Sequence, residues 1–443
     1  MRQEDLRLLT GRGRFLGDAL PEGALHAAFV RAPVAHAAIR AINARARGEG
    51  VLLVSTVAEL DRDGIGPIAA DPVRGFLGLD DPAWPTTFQP ALARGRVRYV
   101  GEPVAMVVAR TAAAARDAAE AIEVDYETLA AVADRTAALP DGATPLHDGY
   151  PSGRLPITAM GDAEATAAAM ATAAHRLRVA VEIPRLAGAA LEPRGALAWV
   201  GPDGGLVLES GTQRPYQVRE TLARALGLSP AAVRIRFDDV GGGFGIKNQA
   251  YPEQLALLWA ARRLGQPVLW RATRSEDMAA DAAARDTGFE AEIGLSADGN
   301  LLALAVRRTV SLGAYAGPRA VAPAINGLGL VAGPYRWRAA HVAVEGVFTN
   351  TAPTTVYRGA GRPETVTFCE RAIDAAARAM GEDPVAFRRR HLLRPGETNV
   401  LGVALGDADP ARVLARAVAL HAAPAGAPGR LRGTGVSLYV EDL

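Results

Sequence analysis

The chain has 443 residues, and at roughly 100–200 residues per domain that length gives two to four domains with room for a sizeable core. Lys and Arg number 49 against 48 Asp and Glu, a net charge of +1 without runs of like charge, so the composition speaks against nucleic acid or a membrane surface as partner. The opening MRQEDLRLLTGRGRF carries charges where a secretory peptide needs an apolar core, no apolar run reaches the ~18 residues of a membrane span, and the single cysteine, Cys369, cannot close an internal disulfide, so a cytoplasmic protein is expected.

In chain order, Pro103 to Arg110 (PVAMVVAR) is apolar and β-branched enough for a buried strand, Ala112 to Ala121 has the composition of an alanine-rich helix, and Ile122 to Tyr126 returns to strand character. The three together give a β-α-β signal. LPDGATPLHDGYPSGRL, residues 139 to 155, concentrates Pro, Gly and Asp without apolar periodicity and predicts an exposed connection between domains. Beyond it the pattern predicts a strand at Leu206–Glu209, a helix at Pro215–Leu226, a strand at Val233–Phe237, a helix at Pro252–Leu264 and a strand near Val268. Ser296–Asn300 separates two alternating segments as a hairpin turn does. Helices with proline near the first turn follow at Pro363–Met380, Pro384–Leu393 and Pro410–Ala422, and Gly433–Leu443 reads as a strand. Alternation followed by a hairpin predicts a mixed α/β, α+β multidomain fold.

Cys369 sits in the helical pattern TFCERAIDAAARAM and reads as a small buried apolar residue. The seven histidines show neither HxxxH nor HExxH spacing, so no metal site built from protein ligands is expected. The bare backbone of GGGFGIKN, residues 241–248, can approach a ligand and offer N–H donors to an anion or oxo group. The same glycines fit a turn that only lets two elements pack closely, and the stretch alone leaves both open. It is neither GxGxxG with an acidic residue at dinucleotide distance nor a P-loop, since Asn248 follows Lys247 where Ser or Thr would bind magnesium. A second glycine loop, TVYRGAGRPE at 355–364, also precedes a helix, so the two could cradle one polyanionic cofactor at helix N-termini.

GTQRP (211–215), GGGFGIK (241–247) and YRGAGRPE (357–364) together resemble the large, molybdenum-cofactor-binding subunit of the xanthine dehydrogenase, aldehyde oxidase and carbon monoxide dehydrogenase family. RQEDLRLLTGRG (2–13), YVGEPV (99–104) and LEPRG (191–195) extend the resemblance along nearly the whole chain. It implies an N-terminal α/β hammerhead-like domain at 1–140, a linker at 141–155, a first molybdenum-cofactor-binding domain at 156–400 and the start of a second at 401–443. It also implies oxidation of an aldehyde or aromatic heterocycle with water as oxygen source, on molybdopterin cytosine dinucleotide, with electrons passed to partner subunits carrying a 2Fe-2S cluster and FAD.

Residue by residue, the resemblance makes Gln213 a hydrogen-bonding partner of a molybdenum oxo ligand. It places Gly242, Gly243, Phe244 and Gly245 against the metal's oxo face, with the Gly245 N–H as a donor and the Phe244 ring shaping a dry pocket. Arg358 would orient substrate or stabilise developing negative charge, while Gly359 and Ala360 allow backbone contact with the pterin. Gly359 stands where true carbon monoxide dehydrogenases carry the copper-bearing cysteine, which argues against that reaction. Asn248 stands where the xanthine-oxidising branch has a purine-holding glutamate, which argues against purines. Glu102, Glu192 and Arg194 fall in similar motifs without an expected catalytic role. The family's general base belongs to a later Gly-Glu motif that this sequence does not contain. The expectation is therefore a hydroxylase component completed by a polypeptide carrying the C-terminal half, beside the iron–sulfur and flavin subunits, and inactive alone. The alternative is a non-catalytic truncated remnant, or a cofactor-holding or assembly module.

Overall fold

Pro103–Ala109 is buried at every residue, and a strand apolar on both faces must be covered on both. In the computed structural model, which describes residues 3–44, 48–69, 86–317, 319–421, 431 and 433–441, that is its situation. Ala105, Val107 and Ala109 pack on the alanine helix Ala112–Glu120, while Met106 and Val108 face a core shared with the helix Pro252–Leu264.

The strand lies in a seven-stranded mixed sheet ordered Val233–Arg236, Leu206–Glu209, Gly195–Val200, Val268–Arg271, Leu25–Arg31, Pro103–Ala109, Val51–Ser55. Leu25–Arg31 pairs in parallel with Val268–Arg271, so strands from both sides of the 141–155 connection share one sheet. A second sheet of five strands runs His175–Leu186, Ala284–Leu295, Leu301–Gly313, Ala339–Phe348, Arg154–Gly161. The hairpin at Ser296–Asn300 joins its second and third strands, antiparallel from Thr287↔Val310 to Leu295↔Leu301. Its core is closed by the helix Arg362–Ala379, whose Phe368 stacks on Phe289 at 4.8 Å between ring centroids, and Cys369 is buried there. A three-stranded sheet, Arg96–Val97, Ala37–Asn43 and Glu123–Thr128, completes the main layers.

Three expectations need correction. The β-α-β elements exist, but Pro103–Ala109 belongs to the seven-stranded sheet and Glu123–Thr128 to the three-stranded one, because the helix between them crosses from one layer to the next. Residues 433–441 form no strand, and 442–443 lie outside the described residues. The Leu438 N–H donates to the Glu370 carboxylate at 2.6 Å on the Arg362–Ala379 helix rather than to a ladder. The helix expected at Pro410–Ala422 ends at Leu420, and Ala422 is outside the described residues. The other helices and strands fall within a few residues of their expected bounds.

Candidate functional site

The first glycine loop leaves the strand Val233–Arg236 and ends before the helix Pro252–Leu264. Gly245 does not feed that helix directly, since Ile246–Tyr251 intervene and Tyr251 is the cap. The second loop does feed its helix, with Gly361 capping Arg362–Ala379. The two loops meet: the Arg358 N–H donates to the Phe244 carbonyl at 2.9 Å, and the Phe244 and Tyr357 rings lie 6.4 Å apart. Gly245 is left-handed at φ +105°, and a Cβ there would stand 2.5 Å from the Val356 carbonyl oxygen, so only glycine allows this approach. Within the second loop the Ala360 N–H donates to the Tyr357 carbonyl and the Arg362 N–H to the Gly359 carbonyl.

Gln213 arrives from a third segment, the turn between the strand Leu206–Glu209 and the helix Pro215–Ala225. Its main-chain N–H donates to the Lys247 carbonyl at 2.9 Å, and its side-chain Oε1 accepts the Gly245 N–H at 2.8 Å. A Cβ on Gly243 would come within 2.7 Å of that same oxygen. The expectation that the Gly245 N–H faces a ligand is therefore corrected, because Gln213 occupies it. The consequence is that the Gln213 Nε2, a donor, is left to face outward. Among the described residues the N–H groups of Gly242, Gly243 and Phe244 make no hydrogen bond, and the Arg358 side chain makes neither hydrogen bond nor ion pair. Gln213, Phe244, Arg358 and Gly359 are exposed, Phe244 to 41%, so the dry pocket expected around its ring is an open face in this chain.

Glu192 and Lys247 hold the first loop from behind, a role the sequence did not assign. The Glu192 carboxylate accepts the Gly241 N–H at 2.8 Å and Lys247 Nζ at 3.0 Å, and Nζ also donates to the Glu192 carbonyl. Deeper still, Tyr251 donates its hydroxyl to the Ile246 carbonyl at 2.6 Å and carries the Arg194 guanidinium over its ring at 3.8 Å. Arg194 pairs with Glu253 at 3.1 Å and with Asp281, and Arg31 reaches Glu253 from the N-terminal strand at 3.0 Å. Burial opposes charge on Glu253, yet Arg194 and Arg31 hold its carboxyl down at about 2, whereas burial and the nearby Asp277 push Asp281 up to about 7 despite Arg194. Glu102 belongs to a separate buried cluster: it accepts the Tyr315 hydroxyl at 2.7 Å and the Arg98 N–H at 2.6 Å.

The residues singled out in sequence thus occupy one place: Gln213, Gly243 and Gly245 in direct contact, Phe244 with Arg358, Gly242 beside them, and Gly359 and Ala360 in the adjoining turn. What this place offers is a ring of N–H and guanidinium donors, which suits a ligand made of acceptors such as oxo or phosphate oxygens. No three His, Cys, Asp or Glu side chains converge among the described residues, so a metal here would depend on ligand atoms brought by the bound group.

Residues 146–392 match the family model of the molybdopterin cofactor-binding domain, and residues 10–130 match that of the aldehyde oxidase and xanthine dehydrogenase a/b hammerhead domain. The chain is similar to subunit gamma of the 6-hydroxypseudooxynicotine dehydrogenase complex of Paenarthrobacter nicotinovorans, at 34% identity over 89% of the chain and 49% of the relative. The large subunit of nicotine 6-hydroxylase from the same organism is 32% identical over 100% of the chain and 55% of the relative. The crystal structure of quinoline 2-oxidoreductase from Pseudomonas putida 86 superposes with a TM-score of 0.85 at 33% identity, covering 94% of this chain and 53% of that one. The chain spans about half the length of these relatives.

Proposed function

The chain belongs to the family of xanthine dehydrogenase, aldehyde oxidase and carbon monoxide dehydrogenase large subunits, and from that premise we propose that it supplies one wall of a molybdenum hydroxylase active site. The observation that carries the reading is the hydrogen bond from the Gly245 N–H to Gln213 Oε1, which joins two separate motifs and turns the Gln213 amide nitrogen outward. A bound molybdopterin cofactor would supply hydroxylation of an electron-poor carbon, with oxygen from water and removal of two electrons.

In this reading Gln213 Nε2 donates to an oxo group without adding charge. The free amides of Gly242 to Phe244 approach the same group, Gly359 and Ala360 let backbone meet the pterin, and the exposed Phe244 ring gives the reacting carbon one apolar side. Arg358 orients the substrate and stabilises negative charge as it develops. Asn248 offers substrate a neutral amide rather than a carboxylate, and Gly359 offers copper no thiol. Two of the similar proteins are named for nicotine and quinoline, which favours a nitrogen heterocycle over an aldehyde as substrate.

The general base is assigned to a further polypeptide carrying the C-terminal half, because the carboxylates bordering this face, Glu192 and Glu364, are engaged by Lys247 and Arg285. The cytosine dinucleotide form of the cofactor, partner subunits with a 2Fe-2S cluster and FAD, and a cytoplasmic location complete the proposal. No helix among the described residues is long and apolar enough to cross a membrane. We keep 1–140, 141–155, 156–400 and 401–443 as the proposed domain division. Metal and nucleotide analysis of the protein purified from its native host tests the reading. Stoichiometric molybdenum and released cytidine nucleotide, with a second polypeptide present, are expected; a lone chain with neither would overturn it.

A further inference from the structure

Five non-glycine residues among those described adopt a left-handed backbone: Ala189 at φ 43°, Phe244 at 50°, Arg285 at 67°, Asp286 at 58° and Ala360 at 47°. Such conformations are disfavoured for side-chain-bearing residues and persist only where the surroundings impose them, commonly at functional sites. Four of the five, all but Asp286, lie in or against the two glycine loops. Phe244 and Ala360 are in them, and Ala189 precedes Ala190, whose Cβ packs beside Gly242. Arg285 and Asp286 are different, being two consecutive strained residues at the start of the strand Ala284–Leu295, where the ladder to His175–Leu186 passes from Arg185↔Arg285 to Ile183↔Thr287. The intervening partner is Pro184, which has no N–H to donate, so the ladder is relaxed where the strand twists.

The twist sends the two charges apart. Asp286 turns toward Arg135 and Arg185, at 3.8 and 4.0 Å. Arg285 turns toward the second glycine loop and touches it three times. Its Nη2 donates to the Arg358 carbonyl at 2.9 Å, its Nη1 lies 2.5 Å from the buried Glu364 carboxylate in the first turn of the following helix, and its guanidinium sits 5.4 Å from the Tyr357 ring centroid. One planar cation therefore spans the loop from Tyr357 to Glu364, a geometry that the fixed fork of arginine suits and lysine does not. Since the Arg358 N–H bonds the Phe244 carbonyl, the two peptide groups that flank the Arg358 Cα are held from opposite sides, one by Phe244 and the other by Arg285.

We propose that Arg285 is a positioning residue for the site, with the strained Arg285–Asp286 pair aiming its guanidinium so that the second loop is held in register with the first and the Arg358 side chain is presented over the donor face. The proposal rests on the reading above only in taking Arg358 as the functional group presented.

The test compares the full chain with Arg285→Gly, Arg285→Lys and Glu364→Gln by amide hydrogen exchange across 357–362 and by thermal unfolding of the same samples. Glycine at 285 removes the strain and the guanidinium together. Exchange across 357–362 should then accelerate about tenfold or more, the scale of a lost charge-assisted hydrogen bond, while the thermal midpoint falls, because the buried Glu364 carboxylate loses its cation and relief of the left-handed backbone returns only part of that loss. Arg285→Lys should recover part of the protection through Glu364. Glu364→Gln changes no backbone angle and should loosen the same amides by a smaller factor, which decides the matter if the glycine variant does not fold. Wild-type exchange at 357–362 in Arg285→Gly and Glu364→Gln would overturn the proposal, as would equal acceleration throughout 284–313, the mark of a residue that only supports the sheet. Exchange reads the loop with or without molybdenum, so an empty site in the native protein would sink the proposed function and leave this result standing.

Discussion

The two sides of the first glycine loop treat polar groups in opposite ways. Behind it, Arg194, Glu253 and Asp281 are buried and, with the half-buried Arg31, are joined by ion pairs, Arg194 being only 5% exposed. In front of it, the Arg358 guanidinium, the Gln213 amide nitrogen and three backbone N–H groups face outward without partners among the described residues. The difference separates two uses of the same chemistry. Charges that hold the loop are neutralised within the fold, because an unpaired buried ion is costly. Groups that act on a ligand stay unsatisfied until the ligand comes, and exposure keeps that state cheap.

The sharpest way to break this comparison is to remove the centre of the buried side. Arg194→Met would leave Glu253 with Arg31 alone and Asp281 without its cation, and should cost about 3–5 kcal/mol of stability. Urea unfolding of the full chain measures it. A loss below ~0.5 kcal/mol, the ordinary size for an exposed substitution, would mean that the buried side is not the holding side.

A weaker effect follows from pH. Asp281 is pushed up from 3.8 to about 7, by burial first. A carboxyl raised in the folded state contributes its stability fully below its unfolded value and loses it as pH climbs from about 4 through about 7. Glu253, held near 2, has the reverse sense: its contribution is present above about 4.5 and lost as pH falls toward 2. Wild type should therefore lose on the order of 2–4 kcal/mol between pH 4 and 7 that Asp281→Asn does not lose. Glu102, raised to about 6 chiefly by burial, adds a slope common to both proteins, so the difference between their melting curves over pH 4–8 isolates Asp281. Parallel curves would place the raised carboxyl elsewhere.

These two sides were unequally legible in the sequence. Helix Pro252–Leu264 was readable to the residue, because proline at the start, apolar spacing and Gly265 at φ +64° are local signals. The donor face was readable as three motifs, since bare backbone must be written as glycine. The holding side was not. Glu192 and Arg194 could be noticed but not paired, because Lys247 lies 55 positions from Glu192, and Glu253 and Asp281 lie 59 and 87 positions from Arg194. The division of the β-α-β elements between two sheets was hidden for the same reason: local pattern fixes a strand and leaves its neighbours open. Arg285 was invisible altogether. Nothing in an Arg-Asp pair announces a left-handed backbone, which the tertiary fold imposes. Gly245 was misread in detail because a motif shows that an N–H is available, and only coordinates show that Gln213 has taken it.

The smallest effect on stability belongs to the exposed side and completes the contrast. Arg358→Met removes an exposed guanidinium that makes no hydrogen bond or ion pair among the described residues, so the unfolding free energy of the full chain should change by less than ~0.5 kcal/mol. In the proposed holoenzyme, assayed with a nitrogen heterocycle, the same change should lower kcat/KM by about 10²–10³, the usual scale for deleting one preorganised electrostatic donor. A fall confined to KM would make Arg358 a binding group that treats substrate and transition state alike. A stability loss of ~2 kcal/mol would overturn the division itself, because an arginine that helps fold the chain cannot have been left unpaired for a ligand.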